Sequence, residues 1–377
     1  MTIPLYSHAK LYLAKKQSID AAIDRVLTSG HLDWGPEVPA FETEFAAWVG
    51  ATHAVSVGSG TAALKAALLA IGVGQGDEVV TVPNTDIAGS SAIRFVGAHV
   101  VWVDVDPATR CMDPDAAAAA ITPRTKAIMP VDLYGHPADL TALRKLANEH
   151  GISLIEDACL ALGAEVGGRR VGNIADITCF SFAPTKHLGA YGCGGACTTE
   201  SASLMERLSR ISAYGQSRKH HSQTFSGGFA PLCHETEGLN ERLDELQAAI
   251  LRAKLPDLED NLTQRRAQAA RYTELLKGSG LDLPSERGPV RHGWRNYVIE
   301  GDDRDGMRTR LKTAGVGTNT PYSPPMHLQP VYTDLGHGVG SFPVAERSCA
   351  RLLGLPLGPH LELQDIEIAS DAVLKAI

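Results

Sequence analysis

Short apolar runs alternate with helical periodicity through the first two-thirds of this 377-residue chain, and that rhythm restricts the fold more than any other feature. "HAVSV" (53–57) precedes "TAALKAALLAI" (61–71), and "GDEVVTVP" (76–83) precedes "AGSSAIRFVGA" and then "HVVWVDVD" (99–106). "AIMPVDLYG" precedes a helix near 139–150, "SLIEDA" (153–158) closes a further unit, and "ADITCFSF" and "GGACTT" add two strands. Such strands have no polar face to give to water, so both sides must be covered. Parallel strands joined by crossover helices meet that demand, which predicts an α/β fold with a mainly parallel sheet and helices on both faces. The alanine run 116–120 reads as ordinary helix. Past residue 240 the rhythm changes. "LNERLDELQAAILRAKLPDLEDNLTQRRAQAARYTELLKGSG" predicts a long helix, a break at Pro256 and a second helix ending at glycine. The rest, with "NYVIEG" and "LLGLPL", predicts a smaller α+β lobe. We place the division between a large domain, 1–248, and a small C-terminal domain, 249–377.

Composition excludes several classes of function. Hydrophobic residues make up 44% and charged residues 21%, as in a soluble globular protein. A net charge of −8 and the absence of a basic stripe argue against nucleic-acid binding. The densest basic run, Arg218-Lys219-His220-His221, is followed by Glu235 and Glu237 and reads as a solvated loop. The start, "MTIPLYSHAK", lacks the apolar core of a signal peptide, and no run approaches the roughly 20 apolar residues of a membrane span. The seven cysteines are scattered, and Cys193 with Cys197 forms a lone C-x-x-x-C, so free thiols in a reducing cytoplasm are expected rather than a metal site.

Chemistry concentrates at four places. "VGSGTAAL" (57–64), with Ser59, Gly60 and Thr61, lies between a strand and a helix, where bare N–H groups form a phosphate cradle. It also matches the dinucleotide pattern G-x-G-x-x-A. That reading wants an acid at the end of the next strand, whereas Asp77 and Glu78 stand at its start. A structural tight turn is the competing account. Asp157 ends the apolar strand of "SLIEDACLALGA", where ligand sites of parallel sheets gather, although a helix cap or a satisfied structural carboxylate would look the same. Its neighbour Glu156 points to the other face. Finally, "FSFAPTKHLGAYGCGGA" (180–196) places Ser181 and Lys186 between aromatics and a glycine-rich return strand. A solvent-exposed loop lysine is inert, but a desolvated one loses its proton more readily and becomes a Schiff-base nucleophile. A nucleophilic lysine, a carboxylate for a pyridine nitrogen and a phosphate cradle together are what pyridoxal phosphate requires.

With these pieces in order, the chain resembles the DegT/DnrJ/EryC1/StrS family of pyridoxal-phosphate sugar aminotransferases over nearly its whole length. The matching motifs are "GSGTAAL", "IEDA" followed by "LGA", "FSFAPTKHLGAYGCGGA", "GLNERLDELQAAIL" and "HLQPVY…FPVAERSCARLLGLPL". The resemblance implies a fold-type-I aminotransferase in which Lys186 bonds the cofactor, Asp157 pairs with its ring nitrogen, and Ser181, Gly60 and Thr61 hold its phosphate. It implies that Asn240 reaches the phosphate of a neighbouring subunit, hence a homodimer with shared sites. Tyr322 and His327 fall in the segment lining the sugar pocket. The implied reaction moves an amino group from L-glutamate or L-glutamine to a nucleotide-linked keto sugar. A keto-cyclitol acceptor and a non-catalytic cofactor-binding regulator are the alternatives. Three positions depart from the family pattern: Asp86 replaces an aromatic that stacks on the cofactor ring, Leu160 replaces a glutamine, and His187 replaces an asparagine. Sugar-dehydrating members carry histidine in place of the lysine itself, so Lys186 favours transamination.

Overall fold

The computed structural model describes residues 2–216 and 233–377, so the basic run Arg218–His221 lies outside the described residues. A seven-stranded sheet contains β1 (His53–Val57), β2 (Glu78–Thr81), β3 (His99–Trp102), β4 (Thr125–Ile128), β5 (Ser153–Asp157), β8 (Ile177–Ser181) and β9 (Gly195–Thr199). Their spatial order is β1-β9-β8-β5-β4-β2-β3. The pairs β8/β5, β5/β4, β4/β2 and β2/β3 are parallel, and β9 runs against both neighbours. The predicted mainly parallel sheet is therefore present. Two short strands, β6 (Glu165–Val166) and β7 (Arg169–Arg170), form a side ribbon with β10 (Val290–Arg291). The strands β11 (Tyr297–Glu300) and β12 (Leu352–Leu355) pair antiparallel in the C-terminal part.

Local sequence explains where the helices begin. Ser59 Oγ accepts from Ala62 N at 3.0 Å and caps Gly60–Ala70, while Asp86 caps Ile87–Phe95 through Ala88 N at 3.0 Å. Asp113 caps Pro114–Ala120, the alanine run, with proline in the first turn. The long C-terminal pattern becomes a helix Glu245–Lys254, one 3₁₀ turn containing Pro256, and a helix Leu258–Leu276. The break falls where proline removes a backbone donor.

Two cores result. Under the large sheet, Phe41 and Phe45 stack 5.6 Å apart, and Phe180 and Phe182 on β8 and just beyond it meet Phe45 edge-on. Each such ring contributes on the order of 1.5–3 kcal/mol by leaving water, which anchors the end of β8 from behind. The second core gathers Tyr272, Trp294, Tyr297, Leu353 and Ile366 around β11 and β12, and Ile3 joins it from the N-terminus. Helix Leu258–Leu276 gives Leu258 and Leu262 to the first core and Tyr272 and Leu276 to the second. Among the described residues no helix is long and apolar enough to cross a membrane.

Candidate active site

β1, β5 and β8 point the same way, so their C-terminal ends reach one edge of the sheet. There they surround a cavity of about 270 Å³. From β1 come Ser59, Gly60 and Thr61, from the end of β5 comes Asp157, and from β8 and its following loop come Ser181 and Lys186. Thr85 and Asp86 enter from the turn after β2, and Tyr322 comes from the C-terminal part. Ligands of parallel sheets collect at this edge because helix N-termini also converge there.

Close approach governs the cradle. A Cβ on Gly60 would lie 2.8 Å from Ser181 Cβ and 3.2 Å from Cys159 Sγ, so only bare backbone fits between them. With Ala62 N held by Ser59, the N–H groups of Gly60 and Thr61 have no acceptor within the helix and are available to an anion. Gly195 pairs with both Val57 and Ser181 and presses against the backbone of Ser59. The glycines after Lys186 therefore let the return strand lie flat against the cradle.

Lys186 projects from a tight loop in which its own N–H donates to Ala183 O at 2.9 Å and Ala190 N donates to Phe182 O at 2.8 Å. Behind the loop, His187 Nε2 donates to Gly293 O at 2.7 Å. Burial lowers the Lys186 pKa; Arg295 works in the same direction, and Cys159, Asp157 and Asp86 oppose it. Burial likewise pushes the Asp157 carboxyl up, against hydrogen bonds from Cys159 and the charge of Lys186. Asp157 Oδ1 accepts from Cys159 N at 3.1 Å. The pair thus consists of an amine eased toward its neutral, nucleophilic form and a carboxylate short of positive charge.

Glu156 takes the opposite face of β5, as alternation requires. It is fully buried and accepts from Thr178 Oγ1 at 2.6 Å. Asp132, also fully buried, neighbours Glu156, and its main-chain N donates to Asp157 O at 3.1 Å. Burial and the neighbouring Glu156 raise the Asp132 pKa well above the usual carboxylate range.

The remaining expected residues divide. Leu160 lines the cavity, while His187 is buried behind it. Asp86 lines the cavity while capping its helix. Tyr322 adopts a φ of 63° and stacks on Tyr134 with centroids 6.1 Å apart. Asn240 is exposed and does not line this cavity. His327 does not line it either. It is 1% exposed, donates to Glu346 at 3.0 Å and packs edge-on against Phe342. Thr85 and Cys159 are lining residues that the sequence did not single out, and Cys193, read there only as half of a C-x-x-x-C pair, lines the cavity too. Thr85 neighbours Asp86, and Cys159 follows Asp157 by two, so adjacency to a known acid was the available signal.

Such a cavity, with a lysine, a carboxylate and a helix N-terminus at the strand ends of a fold-type-I sheet, defines the class of pyridoxal-phosphate enzymes. The DegT/DnrJ/EryC1/StrS aminotransferase family profile matches residues 14–374, and the chain belongs to that family. It is 44% identical over 378 residues to the "Erythromycin biosynthesis sensory transduction protein EryC1" of Saccharopolyspora erythraea, covering 100% of this chain and 99% of that one. It is 41% identical over 372 residues to the dTDP-3-amino-3,4,6-trideoxy-alpha-D-glucose transaminase of Streptomyces venezuelae, covering 98% and 95%. The crystal structure of S. venezuelae DesV in complex with a ketimine intermediate superposes with a TM-score of 0.93 at 41% identity, covering 99% of this chain and 98% of that one. The chain is accordingly a pyridoxal-phosphate-dependent aminotransferase.

Proposed function

We propose that this enzyme transfers an amino group from L-glutamate or L-glutamine to a nucleotide-linked keto sugar, with a dTDP-keto-deoxyhexose as the first acceptor, in secondary-metabolite or surface-glycan biosynthesis. The observation that carries the reading is the single cavity joining Lys186, Asp157 and the Ser59–Thr61 helix start, in a chain whose relatives include a dTDP-amino-sugar transaminase.

Bound pyridoxal phosphate supplies an aldehyde that takes up amines and a ring that stores the electrons released when the adjacent C–H bond breaks. The residues fit it: the bare backbone at Gly60 admits an anion, and Asp157 offers a buried carboxylate short of positive charge. We assign Lys186 Nζ to anchoring the cofactor and, once displaced, to moving the proton between the donor carbon and the cofactor. Asp157 keeps the ring nitrogen protonated. The hydroxyls of Ser59, Thr61 and Ser181 and the N–H groups of Gly60 and Thr61 hold the phosphate. Asp86 and Tyr322, both on the cavity wall, would meet the ring and the sugar. We assign no substrate contact to His327, whose imidazole is committed to Glu346.

Asn240, exposed in its own chain, is assigned to the phosphate of a second copy in a cytoplasmic homodimer with shared sites. We further propose that the chain divides near residue 248, with helix Leu258–Leu276 reaching from one core into the other. A purely regulatory role is not favoured, because Lys186 and Asp157 are both present at the cavity.

The test incubates the cofactor-loaded protein with L-glutamate or L-glutamine and panels of dTDP- and UDP-linked keto sugars and keto-cyclitols, with mass spectrometry for the amine. Amination of a nucleotide sugar supports the proposal. Amination of a cyclitol alone overturns the substrate class.

A further inference from the structure

The loop that carries Lys186 is gripped from behind by a helix of a distant segment. Helix Glu245–Lys254 sends it two side chains, Gln247 and Lys254, about two turns apart on one face. Gln247 Oε1 accepts from Tyr191 N at 2.8 Å, and its Nε2 donates to Tyr191 O at 3.4 Å. Lys254 Nζ donates to Gly189 O and lies 5.0 Å from the centre of the Tyr191 ring. The amide can shift and keep one of its two bonds. The ammonium has no such latitude, because Gly189 O is its one acceptor among the described residues and no carboxylate there pairs with it.

A half-buried cation without a counter-charge is costly to the fold, and burial pushes the Lys254 pKa down to about 8. One neutral carbonyl and one ring face offset that cost only in part. An apolar side chain of the same length would cover the ring without it. What the lysine adds is the bond to Gly189 O. That carbonyl belongs to the turn from which Lys186 projects: a Cβ on Gly189 would collide with Pro184 O, and the next residue, Ala190, donates its N–H to Phe182 O. A shift at Gly189 is therefore passed to the backbone on both sides of Lys186.

We propose that Lys254 is a positioning residue, which through Gly189 O fixes the turn that aims Lys186 into the cavity. The inference rests on Lys186 being the residue that bonds the cofactor, and is independent of which donor and acceptor are used. Lys186 acts twice, first in bonding the cofactor and then in moving a proton, and both tasks need its Nζ placed within about 0.5 Å. His187, fastened to Gly293 O, steadies one side of the loop, and Lys254 steadies the other.

The test compares wild type with Lys254→Met, which keeps the stem without the donor, and Lys254→Arg, which keeps a charged donor. Stopped-flow absorbance follows saturating pyridoxal phosphate as it bonds to cofactor-free protein, so that the rate reports Lys186 rather than cofactor affinity. Lys254→Met should slow that rate on the order of tenfold, and Lys254→Arg should recover most of the loss. Amide exchange of the cofactor-free proteins, read by mass spectrometry, should quicken in peptides covering 183–191 of Lys254→Met and stay unchanged in β4 and β5. A lysine that served stability alone would quicken exchange across the whole molecule and leave the bonding rate where it was. An unchanged bonding rate in Lys254→Met, exchange that rises evenly, or equal losses in both variants overturns the proposal. Borohydride fixation of the cofactor at another lysine would refute the Lys186 assignment and the proposal with it, an outcome distinct from a failure of Lys254 alone.

Discussion

Replacing Gly195 by alanine would place a methyl group where backbone already stands. The added carbon would lie 2.6 Å from the Ser59 carbonyl carbon and 2.9 Å from Gly60 N, and closer still to Ser59 O. Ordinary carbon contacts settle at roughly 3.5–4.0 Å, so the Ser59–Gly60 turn must retreat by about 1 Å. No rotamer relieves this, since every clashing atom belongs to the main chain at a helix start. Overpacking of this kind costs about 1–3 kcal/mol, more than the roughly 0.4–1 kcal/mol that alanine gains by restricting the unfolded chain. At about 2 °C per kcal/mol for a chain of this size, the net cost of up to about 2.6 kcal/mol should lower the melting point of the cofactor-free protein by up to roughly 5 °C. The retreat also carries cradle N–H groups away from the phosphate. One lost charge-assisted hydrogen bond, about 1.5–3 kcal/mol, weakens pyridoxal phosphate binding roughly ten- to a hundredfold.

Gly192→Ala is the control, because its added carbon meets Gln247 Nε2 at 3.2 Å, the end of a side chain that can turn aside. Thermal melts followed by circular dichroism, and cofactor titration of both variants, read the two effects. Equal melting points and equal cofactor affinities in the two variants would falsify the account of the cradle as a backbone-tight fit.

Lys186→Ala should abolish turnover and the visible absorbance of the loaded enzyme while leaving the cofactor-free melting point nearly unchanged; a borohydride-fixed cofactor mapped to another peptide refutes this. Asp132→Asn should flatten the pH dependence of stability. The wild-type carboxyl is raised in the fold, so the fold binds more protons than the unfolded chain, and stability falls as pH climbs from the unfolded value of about 3.9 toward the raised one. Melting points of cofactor-free wild type and variant at pH 5, 7 and 9 should diverge in favour of the variant, and parallel curves sink the idea. Mixed dimers of Lys186→Ala with a silencing Asn240 variant should recover at most about half of wild-type activity, since only one of the two sites is intact. Verified heterodimers that stay inactive reject a site shared through Asn240.

Much of this architecture was legible because the strands carry no polar face. "HAVSV" becomes β1 at the same residues, "SLIEDA" contains β5, and the break at Pro256 falls where proline interrupts the helix. Lys186, Asp157, Ser181 and the Ser59–Thr61 turn converge on one cavity because each stands at a strand end or helix start, positions that periodicity reveals. Burial of polar groups by distant elements left no such trace. His327 sits in a motif resembling a sugar-pocket segment, yet Glu346, nineteen residues later, holds it inside. The carboxyl pair Asp132–Glu156 joins a turn to a strand with no fixed spacing between them. Arg295 is one arginine among many until the contact with Tyr6, from the opposite end of the chain, shows where it lies.

The departures at 86 and 187 make better sense together with Arg295 than singly. His187 is buried, and desolvation, then the charges of Arg265 and Arg295, keeps its imidazole neutral well below its ordinary pKa. A neutral ring adds no positive charge behind Lys186, and its one committed N–H fastens the lysine loop to Gly293, two residues from Arg295. An asparagine, with its shorter side chain, would not span the same gap with a single rigid ring. Asp86, meanwhile, exchanges aromatic stacking for a negative charge that opposes Arg295 in its effect on Lys186. Around Lys186, Arg295 therefore works against protonation of the amine while Asp86 and Asp157 work for it. An alkaline or acidic limb in donor turnover should consequently follow Lys186 and Asp157, whose pKa values are displaced toward each other by burial, and should persist when His187 is replaced by asparagine. If that replacement removes a limb from the pH profile, the imidazole titrates after all and the neutral-tether account of His187 fails.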